Sequence, residues 1–191
     1  MDTVPFLMAT SVRLFISVWF VVAGAAKLLT PHEGSPAFLS AAGFPNWVRK
    51  PFILGGLAFG EISVGSWLAT EFALAAALRL SSAVLLAFAI AFIRAQGSGY
   101  RGSCGCFGRY SEARVHSGHL VITLVTSAGA LMAAQFYQGG QAEALWSLGA
   151  RQLIAASALA TLLMVLNVGF ARVDSTLRDA RALADPPLTN K

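Results

Sequence analysis

Five apolar stretches, each long enough or nearly so to cross a bilayer, leave this chain few ways to fold. A hydrocarbon core takes about 20 helical residues to span. Inside it each backbone N–H and C=O must find its partner within the protein, so such stretches become helices. The runs cover about residues 12–29, 51–69, 75–93, 119–136 and 153–170. Pro51 opens the second at a first-turn position, where a missing N–H costs nothing. Arg13 and Lys27 lie near the ends of the first and are expected to snorkel toward the interface. Arg79 lies inside the first turn of the third.

Composition agrees. Charged residues make up 12% of the 191-residue chain and apolar residues 56%, with mean hydropathy +0.65. A soluble domain carries about 25% charged residues to cover its surface, so lipid is the expected solvent here. The reading is an all-α integral membrane protein, with residues 1–172 as the polytopic domain and 173–191 as a charged tail. The start lacks a positive n-region, so cleavage after Ala23-Gly24-Ala25 is not expected. The net charge of +5 is not gathered into a groove or stripe, which argues against nucleic acid as a partner.

The basic residues instead report orientation. With five spans, Lys27, Arg49, Lys50, Arg94, Arg101, Arg109, Arg114, Arg172, Arg178, Arg181 and Lys191 share one side, against Arg13, Arg79 and Arg151 on the other. The chain is therefore expected to span a membrane with its N-terminus outside and its C-terminus in the cytoplasm. The loop after the third span then lies at the cytoplasmic face.

That loop holds both cysteines, in Gly102-Ser103-Cys104-Gly105-Cys106-Phe107-Gly108. Two thiols around one glycine can close only a small, geometrically demanding ring, and strained disulfides are the labile, catalytic kind. The glycines give the backbone freedom to bring the sulfurs together. Arg101 and Arg109 flank the pair and are expected to favour thiolate, the attacking form. The plainer alternative is two inert cysteines in a turn. A zinc site is a further alternative, with His116 and His119 joining Cys104 and Cys106, although one residue between the thiols is fewer than the usual two to four.

Glu61 falls near the middle of the second span. A carboxylate there is expensive and normally pairs or faces the bundle interior. Lys27 is the candidate partner. The pair reads either as a proton- or quinone-linked group beside the redox loop or as an ion pair that fixes packing. Gly56-x-x-x-Gly60, with Gly55 and Gly65, gives the same span a small-residue face suited to helix packing. No histidine lies at mid-membrane to hold haem.

Taken together, Ala23-Gly24-Ala25-Ala26-Lys27-Leu28, Glu61 and Cys104-Gly105-Cys106-Phe107-Gly108 resemble the MauE branch of the DoxX-like membrane proteins, over roughly residues 10–135. The cysteine pentapeptide is the specific part. The resemblance implies a DoxX-like four-helix transmembrane bundle with an added fifth C-terminal helix. It also implies thiol–disulfide exchange or electron transfer in envelope protein maturation, as inferred for the methylamine-utilisation member. Carried over by position, Cys104 and Cys106 would be the redox pair, and Lys27 and Glu61 the intramembrane polar positions. The family's thioredoxin-like partners act on the outer side, whereas charge counting puts the cysteines inside. Either electrons cross the membrane, or the loop re-enters it, or the orientation is inverted.

Three readings of the whole follow. In the first, the cysteine pair exchanges electrons with a thioredoxin-like protein and with a quinone. In the second, the chain is a non-catalytic subunit filling an interface in a larger membrane complex. In the third, it binds a metal through Cys and His.

Overall fold

The computed structural model describes residues 3–29, 34–70, 72–106 and 117–138. The expected fifth span, the charged tail, Arg109 and His116 lie outside the described residues. Within them the chain is helical and contains no strand. Four long helices, α1 (Thr3–Leu29), α3 (Pro51–Ala69), α4 (Leu74–Gly97) and α5 (Ser117–Gln138), accompany a short α2 (Gly34–Ala41) and a single 3-10 turn over Asn46–Arg49. Each long helix contains an apolar segment of 19 or 24 residues, enough to cross a bilayer. This is an all-α membrane protein built on a four-helix bundle.

The helices begin and end where local chemistry dictates. Pro51 starts α3 directly after an extended Lys50. Gly99 ends α4: its φ of 79° lets the Tyr100 N–H reach back to the Ala95 carbonyl and the Gly99 N–H to Gln96, the six-to-one and five-to-two bonds of a glycine-terminated helix. α1 starts at Thr3 rather than Val12; Pro5 falls in its first turn, where a missing N–H costs nothing.

α1 packs along α3 and α4 along α5, while contacts of α1 with α5 and of α3 with α4 close the bundle. The α1–α3 seam is tight because glycine stands at two crossing points. A Cβ on Gly24 would lie 2.5 Å from the Ala58 carbonyl oxygen, and one on Gly65 would lie 2.8 Å from that of Ser17. These contacts run in opposite chain directions, so the two helices are antiparallel. Of the glycine face expected on α3, only Gly65 packs in this way. Gly55, Gly56 and Gly60 face open space, with nothing within 4 Å of an added Cβ among the described residues.

The interior is small and partly polar, and the outer surface large and apolar. Thr10, Ser11, Ser17, Ser81, Ser82 and Ser127 are buried, while Phe52, Phe59, Val125 and Met132 are well over half exposed. Ser82 and Ser127 join α4 to α5 through their hydroxyls at 2.8 Å. A water-soluble fold would reverse this distribution, whereas helix association in lipid favours small residues and polar contacts.

Arg13 departs from expectation. It does not snorkel; it is 2% exposed, with Nε donating to the Leu68 carbonyl at 2.7 Å and Nη2 to those of Ala69 and Thr70 at 3.2 and 2.8 Å. These carbonyls lack partners inside α3 and form the negative end of its dipole. One guanidinium satisfies all three. Arg79, by contrast, stays exposed on α4.

Candidate functional site

At the other end of the α1–α3 seam lies a second buried cation. Lys27 also fails to snorkel: its ammonium bonds Glu61 Oε1 across the seam, with side-chain exposures of 19% and 5%, and sits 5.5 Å from the Phe88 ring centre. Glu61 is ten residues into α3, roughly 15 Å along its axis at about 1.5 Å per residue. Its second oxygen, Oε2, is buried and has no hydrogen-bond partner among the described residues.

The cysteine loop folds onto this pair. After α4 the chain turns at Gly99, and Tyr100 packs its ring 6.1 Å from that of Phe38 on α2 and donates its hydroxyl to the Ser103 carbonyl at 2.9 Å. Cys104 is buried in a cluster with Phe38, Ala42, Ala91, Phe92 and Ala95. Gly105 then takes a φ of 66° and lies against α2 so closely that a Cβ would stand 2.0 Å from Ser35 Oγ. Conformation and space both demand glycine there. The turn it makes brings the Cys106 N–H to Cys104 Sγ at 3.2 Å.

The two cysteines are held as thiols that hydrogen-bond each other. That bond, followed by burial and the nearness of Cys104, pushes the Cys106 thiol well above its ordinary value, with Lys27 opposing. Burial and Cys104 likewise raise Tyr100. This differs from the expectation of a thiolate favoured by flanking arginines. Arg101 is exposed and takes no part in the Cys106 shift, and the cation that does is Lys27, far away in sequence. The bland expectation for cysteines, burial, holds for Cys104. Its surroundings of Gly, Ser and Arg in the sequence gave no sign of that, because the burying residues come from α2 and α4.

A cavity of about 370 Å³ opens between α1, α2, α3 and the loop. Its polar wall consists of Lys27, Ser35, Arg49, Glu61, Cys104 and Cys106, and the remainder is mostly apolar. A smaller cavity of about 60 Å³ lies toward the middle of the bundle and shares Lys27, Glu61, Phe88 and Cys106 with the first. Lys27, Glu61, Phe88 and Cys106 thus border both spaces.

Residues 5–137 match the family described as methylamine utilisation protein MauE. The chain belongs to this family. The match covers all four described spans and the cysteine loop, the same elements that build the site. No match was found to a curated protein or to a solved structure.

Sequence reasoning placed Cys104, Gly105, Cys106, Lys27 and Glu61 among this family member's functional residues, and the fold brings all five together. It missed Arg49, which entered only as a topology charge. Its Nε is buried without a partner among the described residues, on the cavity wall. Of the alternative zinc set, His119 lies in the first turn of α5 and His116 outside the described residues. Among the described residues no group of three or more His, Cys, Asp or Glu side chains is gathered as a metal site.

Proposed function

We propose that this protein is a membrane thiol–disulfide oxidoreductase that supports maturation of envelope proteins, in keeping with a family named for methylamine utilisation. The observation that carries the reading is the placing of both cysteines on a cavity wall with Lys27 and Glu61. In the reduced state Cys104 Sγ receives the Cys106 N–H and the neighbouring thiol, two donors that favour negative charge on that sulfur. Attack by one thiolate on a partner's disulfide gives a mixed disulfide. Attack by the second cysteine then closes Cys104–Cys106 and releases the partner as a dithiol, and the reverse sequence oxidises the partner. A thioredoxin-like protein is the partner class that this exchange suits.

Mass-tag labelling of thiols in intact membranes, with and without reductant, tests the reading. A fraction of the wild type should resist labelling until reduced, and Cys104→Ser or Cys106→Ser should abolish that fraction and envelope disulfide formation. If both thiols always label and the serine variants leave envelope disulfides unchanged, the redox function is refuted. A membrane-impermeant tag would decide the side, which charge counting puts in the cytoplasm.

The open glycine face of α3 favours a second reading, a non-catalytic subunit of a larger membrane complex. Gly55, Gly56 and Gly60 could admit another helix closely. Co-purification with large subunits in a fixed ratio, undisturbed in the serine variants, would support it.

A further inference from the structure

We propose that the larger cavity binds a lipid-soluble quinone, which takes up the electrons and protons released when Cys104 and Cys106 close. The proposal rests on the thiol-redox reading above and names the membrane-side reactant for it.

Four observations point to this occupant. The first is depth. The cavity reaches from Arg49 and Pro51, at the start of α3, to Glu61 near its middle, roughly 15 Å at about 1.5 Å per residue. An exchange partner in water needs no space leading so far into the bilayer, whereas a carrier dissolved in lipid does. The second is chemistry. The lining is mostly apolar and includes the Phe38 and Phe88 rings, as a flat hydrophobic ring requires. The volume of about 370 Å³ lies within the ≈ 300–1,000 Å³ usual for small-molecule sites.

The third is the pair of buried polar atoms without partners. Among the described residues only Arg49 Nε and Glu61 Oε2 are in that position, and both residues line this cavity. A buried orphan polar atom is costly, and a lipid tail would satisfy neither. A quinone offers carbonyl oxygens on opposite sides of its ring. Such an oxygen can accept the Arg49 N–H near the start of α3 or, deeper in the cavity, meet the polar group of Lys27 and Glu61. Once the ring is reduced, its hydroxyl can donate to Glu61 Oε2. The fourth is that both sulfurs lie in the same wall, so no long-range transfer is needed.

The step balances. Cys104–SH and Cys106–SH lose two protons and two electrons and form one S–S bond. The quinone gains the same and becomes a quinol with two new O–H bonds. Glu61 Oε2 can accept a thiol proton and pass it to the ring oxygen.

Gly55 lines the cavity, yet nothing lies within 4 Å of a Cβ placed there, so Gly55→Leu should narrow the space without disturbing the backbone. Purified protein in lipid nanodiscs would be reduced, freed of reductant and mixed with decylubiquinone. Quinol absorbance and mass-tag labelling would be followed together. Disulfide and quinol should appear in equal amounts, and Gly55→Leu should slow both at least about tenfold, or about 1.4 kcal/mol of barrier. Diamide, a water-soluble thiol oxidant, reports whether a variant's pair can still close. If Gly55→Leu fails with diamide, Leu57→Phe serves in its place.

A pair that oxidised thioredoxin closes but decylubiquinone leaves reduced would overturn the quinone site and leave the redox reading standing. Equal quinone rates in wild type and narrowed variant would place the reaction outside the cavity and overturn it too. A wild-type pair that closes with neither thioredoxin nor diamide would remove the redox reading itself.

Discussion

The two ends of the α1–α3 seam each bury a cation from α1, and they use it differently. At one end Arg13 meets three backbone carbonyls, all at the close of α3. Each of these acceptors is a main-chain oxygen. At the other end Lys27 meets a carboxylate that keeps one oxygen unbonded, beside two thiols and an open space. A charge answered by backbone dipoles fastens helices. A charge answered by an incompletely bonded acid, in contact with a cavity, can take part in proton transfer.

Breaking the pairs one at a time should separate these roles. Lys27→Met leaves the Glu61 carboxylate buried alone and should cost about 3 kcal/mol, the lower end for breaking a buried ion pair, read as a fall in thermal stability in detergent. Lys27→Met combined with Glu61→Leu should recover most of that stability, since an apolar pair often replaces a buried ionic one without loss. It should still fail in thiol exchange. Recovery of exchange along with stability would show that the pair only packs.

Arg13→Met should be milder, about 2 kcal/mol, taking about 0.6 kcal/mol for each of three intramembrane hydrogen bonds. Exchange measured below the melting temperature should not change. Between these ends, Gly24→Ala should cost about 1–3 kcal/mol by overpacking against the Ala58 carbonyl. Gly56→Ala, in open space, should instead gain about 0.4–1 kcal/mol by restricting the unfolded chain. The same melting curves would check both.

The smallest effect concerns pH. Because the bond to Cys104 is the largest influence raising the Cys106 thiol, alkylation of Cys106 should have its midpoint above that of an ordinary cysteine and rise with pH. Cys104→Ala removes that bond and the neighbouring charge. The midpoint should then move down toward the ordinary value, leaving the effect of burial with the smaller opposing influences of Lys27 and Glu61.

The two ends also differ in how far the sequence reveals them. Glu61 had to have a partner because a mid-span carboxylate is costly, and Lys27, late in the first span, was the candidate partner. Arg13 carried no such signal: its acceptors are backbone carbonyls, present in every helix, and an arginine near a span end ordinarily snorkels. Arg101 misled because adjacency in sequence is not proximity across a loop. The turn at Gly105 aims Cys106 at α1 and α3, while Arg101 stays in the open. The four spans were legible from apolar length alone. The cavity was not, since it depends on how α2 and the loop close over the bundle end.

Arg13 has a further consequence, for the order of assembly. Its three acceptors lie 55 to 57 residues further along the chain, so during synthesis α1 exists before these acceptors have been made. An unanswered arginine in a spanning helix costs insertion about 2.5–3.5 kcal/mol near the centre and less toward the end. α1 and α3 are therefore expected to enter lipid as one hairpin rather than in turn. A nascent chain cut before Leu68 should insert poorly and be rescued by Arg13→Leu, while the complete chain should insert equally well with either residue. The guanidinium would then act as a timing device in biogenesis, holding the first helix at the insertion machinery until the end of α3 has been made.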